Sequence, residues 1–80
     1  MGTNALLKNH FYINLDKRKE RNLITIGELK KLGIKKPNRF PAIEHEIGLV
    51  GCVMSHIKCI EHAKKNNWDY VVIFEDDIKI

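Results

Sequence analysis

Along the chain the apolar positions alternate between a continuous spacing and a helical one, and the changes divide it into five elements. His10 to Leu15 (HFYINL) is a short aromatic and branched run closed by Asp16, the pattern of a buried strand. From Lys17 to Leu32 the spacing becomes helical. Leu23, Ile26, Leu29 and Leu32 recur every three positions, Lys17, Lys19, Glu20 and Lys30 face solvent, and Gly33 follows as a stop. Asp16 is placed to cap this helix. Gly27 inside it costs about 1 kcal/mol relative to alanine, or marks close packing on a sheet.

Arg39 to Ile43 (RFPAI) reads as a weaker strand, and Pro41, which has no N–H for a ladder, assigns it to an edge or a strand end. Gly48 to Lys65 predicts a second helix with Leu49, Val53, Ile57, Ile60 and Ala63 as one apolar stripe, terminated by Asn66 and Asn67. Tyr70 to Phe74 (YVVIF) is apolar at every position, as strands covered on both faces are. The order strand, helix, strand, helix, strand predicts an α/β fold, a Rossmann-like parallel sheet with flanking helices, in a single small partial domain spanning residues 1–80. Ligands of such sheets bind at the carboxyl ends of the strands.

Composition adds limits. At 44% hydrophobic and 30% charged, the chain is an ordinary globular segment, and no run is long enough for a transmembrane segment. Met1 to His10 lacks the order of a secretory signal, so a cytoplasmic setting is favoured. Cys52 and Cys59 lie about two turns apart on one helix, roughly 10 Å along its axis, too far for a disulfide. The net charge of +4 comes from clusters at Lys17, Arg18, Lys19 and Arg21 and at Lys30, Lys31, Lys35 and Lys36. No aromatic platform interleaves with them, so nucleic acid is not an expected partner.

The acidic residues fall at strand ends: Asp16 after the first, and Glu75, Asp76 and Asp77 after the last. Three consecutive carboxylates there repel and desolvate one another, and a hard divalent cation, Mg²⁺ or Mn²⁺, bridging to nucleotide phosphates would relieve this. The alternative is a solvated acidic loop or the cap of a following helix. No glycine-rich turn follows the first strand, which argues against a dinucleotide enzyme or an ATPase. Asn14 or Asp16 could bind a base or ribose, and Arg18 or Arg21 could pair with phosphate. Cys52, His56 and Cys59 are spaced four and three apart, but a single helix cannot surround a tetrahedral ion. His56 reads as a packed, hydrogen-bonded histidine.

FYINLDKRKER, GLVGCVMSH and VVIFEDD, in that order, resemble the blocks of glycosyltransferase family 25: a strand with N-L-D and basic residues, a G-C-x-x-S-H helix, and a strand ending E-D-D. The resemblance covers the chain from about Phe11 to Asp77. It implies the N-terminal portion of a GT-A type fold, a UDP-sugar donor, a glycan or protein hydroxyl acceptor, and a divalent metal, commonly Mn²⁺. It places Glu75, Asp76 and Asp77 on the metal or donor-diphosphate side, Asn14, Asp16 and Arg21 beside the nucleotide, and Gly51, Ser55 and His56 in the second block. No catalytic residue is assigned, because the family's acceptor site and later strands correspond to sequence beyond Ile80. The competing expectation is a remnant domain that binds or self-associates through an uncovered sheet edge without catalysis.

Overall fold

The computed structural model describes residues 6–78. Its elements are strand β1 (His10–Asn14), helix α1 (Lys19–Lys31), strand β2 (Arg39–Pro41), helix α2 (Gly48–Lys65) and strand β3 (Val72–Glu75). The strands form one parallel sheet in the order β2-β1-β3, so the expected α/β architecture holds. Pro41 closes an edge strand, as its missing donor requires.

Strand alternation sends the side chains of β1 into two cores. Tyr12 packs with Leu29 of α1 and Ile34 on one face. Phe11 and Ile13 pack with Cys59 of α2 on the other, where Phe40 and Trp68 set their rings against Phe11 with centroids 5.4 Å apart in both cases. The helices therefore lie on opposite faces. β1 sits at the centre and, among the described residues, is the strand buried along its whole length. β3, expected to be covered on both faces, is half-buried because it forms a sheet edge, and Tyr70 before it is exposed.

The helices depart from the sequence reading in their orientation. Asp16 does not cap α1. Arg18 holds that position without a side-chain bond, and Asp16, 82% exposed in its side chain, pairs instead with Arg39. In α1 the buried positions are Thr25 and Leu29, whereas Leu23 is 70% exposed. Gly27 is exposed with nothing within 4 Å of a built Cβ, so close packing does not explain it. Gly33, at φ 93°, takes the left-handed turn that ends the helix.

The largest departure is in α2, whose bounds are those expected. Of its apolar stripe only Ala63 is buried. Leu49, Val53, Ile57 and Ile60 are exposed, and Gly51, Ser55, Cys59 and Ala63, spaced by four, face the sheet. Small side chains let the helix backbone approach closely: a Cβ on Gly51 would stand 2.6 Å from the Ile43 carbonyl oxygen. The stripe is left as an apolar surface.

At the amino edge of the sheet, buried His10 is held neutral by its bonds. Nδ1 lies 2.6 Å from the Leu7 carbonyl and must donate to it, and Nε2 accepts from the Asn38 N–H at 3.0 Å. Burial lowers its pKa, opposed by the weaker effect of the Leu7 bond. A folded value below the unfolded 6.5 means that this group's contribution is complete above the unfolded value and lost as pH falls through the folded one. The urea midpoint should accordingly drop between about pH 7.5 and about pH 5, and drop less in His10→Gln.

Candidate functional site

The parallel register between β1 and β3 pairs Ile13 with Glu75. One residue further, the same register sets Asn14 beside Asp76. In the order β2-β1-β3 the chain passes from β1 to β2 on one side and then crosses back to β3 on the other, and the crevice at the carboxyl end between β1 and β3 is where open α/β sheets take ligands. A cleft of about 400 Å³ opens there.

Asn14 is the hub of this edge. It is 2% exposed. Its Nδ2 donates to Asp76 Oδ2 at 3.0 Å and to the Arg18 carbonyl at 3.2 Å. Its Oδ1 accepts from Arg39 Nε at 3.0 Å, and its main-chain oxygen accepts from Arg39 Nη2 at 2.9 Å and from the Ala42 N–H at 3.0 Å. Arg21 reaches the other oxygen of Asp76 from α1 at a longer 3.4 Å. The Thr25 hydroxyl, buried in the middle of that helix, lies 2.7 Å from the Arg21 carbonyl and 3.2 Å from the Asp76 carbonyl, one proton serving both. Asp76 is thus held through its side chain and its backbone.

The three consecutive carboxylates point different ways. Glu75, in phase with Ile13, turns to the α2 face, where Cys52 Sγ lies 3.6 Å from Oε1. Asp76 turns to the α1 face, and Asp77 is exposed in the turn that follows. Strand alternation thereby relieves much of the repulsion expected from their adjacency. Among the described residues no group of three or more His, Cys, Asp or Glu side chains stands together around a metal-sized position. The oxygen donors nonetheless suit Mg²⁺ or Mn²⁺, which take one or two protein carboxylates and complete their shell with water and substrate phosphates.

Of the residues expected at the site, Asn14, Arg21, Ser55, Glu75 and Asp76 line the cleft; Asp16, His56 and Asp77 do not. The Ser55 hydroxyl accepts from the Ile43 N–H and donates to the Gly51 carbonyl, both at 2.8 Å, tying the loop after β2 to α2. His56 bonds its own helix, with Nδ1 2.8 Å from the Cys52 carbonyl and 3.8 Å from Cys52 Sγ. Burial first, then the neighbouring Glu75 carboxylate, pushes the Cys52 thiol pKa up, and burial pushes that of Cys59 to about 11. Neither is an activated thiolate. Lys17 and Glu44 close the rim with an exposed 2.6 Å ion pair.

Arg39 and Thr25 were missed from the sequence. Thr25 had a weak signal, a polar residue on the side of α1 that carries Leu29. Arg39 had none, because its partners come from the pairing of β2 with β1.

Residues 46–80 match the model of glycosyltransferase family 25, described as an LPS biosynthesis protein family. A Haemophilus influenzae protein that bears a provisional glycosyltransferase name is 42% identical over 43 residues, which are 54% of this chain and 15% of that protein. The chain therefore spans a small part of the length of the curated relative it matches. No solved structure matches it significantly. The family match covers the second and third of the sequence blocks and not the first, and over residues 46–80 the chain is similar to family 25 and glycosyltransferase-like.

Proposed function

We propose, for a chain whose residues 46–80 match the model of glycosyltransferase family 25, that its parent activity is metal-dependent transfer of a hexose, galactose or glucose, from a UDP-sugar to a hydroxyl of a glycan or protein acceptor. The described sheet is then the amino-terminal part of a GT-A type fold. The observation that carries this reading is the Asn14, Arg21 and Asp76 cluster in the cleft at the carboxyl edge of β1 and β3.

The roles follow from chemistry. Arg18 and Arg21 on the rim offer guanidinium forks to the donor diphosphate. Of the three carboxylates expected there, Asp76 and Glu75, which line the cleft, would hold Mn²⁺ or Mg²⁺. When bound, the ion supplies charge neutralisation for the leaving diphosphate. The hydrogen bonds from Asn14 and Arg21 orient Asp76 before any ligand arrives, so less ordering is needed on binding.

Titrating the chain with UDP-galactose and UDP-glucose, with and without Mn²⁺, tests the reading by calorimetry. Mn²⁺ should strengthen donor binding in the wild type, and Glu75→Gln, an exposed position that lines the cleft, should weaken it about tenfold. Equal donor affinity in both proteins would overturn the metal assignment.

A second reading, assembly without catalysis, has its own support in the exposed Leu49, Val53, Ile57 and Ile60. Light scattering on the same samples separates the two. Concentration-dependent dimers with no donor binding favour assembly, and a monomer that binds donor favours the enzyme.

A further inference from the structure

We infer that Arg39 is a positioning residue of the donor site: it fixes which way the Asn14 amide faces and, through Asn14, holds the Asp76 carboxylate in place. The inference rests on the proposed donor reading of the cleft and extends it to a residue on a different strand.

An asparagine amide has two ends of nearly the same shape and opposite hydrogen-bonding character. The end that faces Asp76 decides whether the contact attracts or repels. Arg39 has donors only and stays charged, so the atom it meets at 3.0 Å must be the amide oxygen. The same guanidinium grips the main-chain oxygen of Asn14 at 2.9 Å, so the fork spans both acceptors of one residue and resists rotation. With Oδ1 held this way, Nδ2 must point to the Arg18 carbonyl and Asp76 Oδ2, both of which only accept. Asp76 Oδ2 is thereby capped, and Oδ1, with only the 3.4 Å contact to Arg21, is the oxygen more open to a ligand.

The fold gives Arg39 this reach. It opens β2 opposite Tyr12, two residues before Asn14, and its stem is largely covered, leaving 28% of the side chain exposed. The outer nitrogen also meets Asp16 at 2.6 Å, but that carboxylate stands in solvent, where such a pair adds little. Without Arg39 the amide keeps only its two Nδ2 donations and loses the charged fork that resists its rotation, so Asp76 is held by a looser partner.

The test compares the 80-residue chain with Arg39→Met, Arg39→Lys, Asn14→Ala and the Arg39→Met/Asn14→Ala pair. Two quantities are read: UDP-hexose affinity in Mn²⁺ by calorimetry, and the side-chain amide signals of Asn14 by NMR. Arg39→Met should weaken donor binding about tenfold, and Arg39→Lys nearly as much, since an ammonium cannot span the two acceptors. In the Asn14→Ala background the loss of Arg39 should cost less than about twofold more, because its effect runs through Asn14. The Asn14 amide, one sharp pair of signals in the wild type, should broaden or double in both Arg39 variants. Equal losses in both backgrounds, or an unchanged Asn14 amide, would overturn the assignment. If the wild type binds no UDP-hexose, the donor reading falls, and the amide signals alone still decide what Arg39 does. Should Arg39→Met fail to fold, the lysine variant carries the same comparison.

Discussion

Alanine at Gly51 is expected to lower the unfolding free energy by about 2 kcal/mol, while alanine at Gly27 raises it by about 0.5 to 1 kcal/mol. Both glycines lie inside helices, and on propensity alone both replacements should stabilise by up to about 1 kcal/mol. The difference lies in what the added carbon meets. At Gly27 it meets nothing within 4 Å. At Gly51 it meets the Ile43 carbonyl oxygen at 2.6 Å and the His45 nitrogen at 3.3 Å. Those are backbone atoms of a loop that cannot give way cheaply, because the Ile43 N–H is bound to Ser55. Steric displacement of packed structure costs about 1 to 3 kcal/mol or more and outweighs the propensity gain. A domain of this size has only about 5 to 10 kcal/mol in hand. Urea unfolding of the two variants should move the midpoints in opposite directions, and parallel shifts would show that α2 does not approach the loop as described.

Replacing Asn14 with leucine should cost about 3 kcal/mol of stability, and replacing it with aspartate about 2 kcal/mol. Leucine fits the volume but strips a side-chain partner from Arg39, Asp76 and the Arg18 carbonyl at once, leaving Asp76 with only the longer Arg21 contact and the inner Arg39 nitrogen facing an apolar group. Aspartate keeps the shape and the oxygen that faces Arg39. Attraction to Arg39 and repulsion from Asp76 act at nearly equal distances, so they largely cancel. The two lost N–H donations then decide the sign. Urea melts at neutral pH check both variants, and a leucine variant as stable as the wild type would remove Asn14 from the centre of the network. Donor binding should fall in both, because neither supplies the hydrogen bond that orients Asp76.

Reading α2 from its sequence identified the element and its limits but reversed its orientation. Helical spacing says which residues share a face, and the expectation that the most apolar face turns inward rests on the helix having one neighbour. Here the face of Gly51, Ser55, Cys59 and Ala63 meets the sheet, because only small side chains permit the approach seen at Ile43. Leu49, Val53, Ile57 and Ile60 are left as an apolar surface that nothing in residues 6–78 covers. Asp16 failed as a cap for a related reason. Local capping rules assumed a helix starting at Lys17, whereas α1 starts at Lys19 and Asp16 is drawn to Arg39 across the sheet.

The candidate site divides along the same line. By itself the sequence determined the alternation of strands and helices, the confinement of Pro41 to an edge or a strand end, and the arrival of carboxylates at strand ends, all of which depend on neighbours within a few residues. Tertiary structure decided which of those carboxylates faces which partner. Glu75 and Asp76 part to opposite faces because a strand alternates, Asn14 meets Asp76 because β1 and β3 pair in parallel at a particular register, and Arg39 joins them from a strand on the other side. Register and helix orientation are set by packing between segments far apart in the chain. Adjacency in sequence therefore placed three acids together, and the fold kept one of them at the hub.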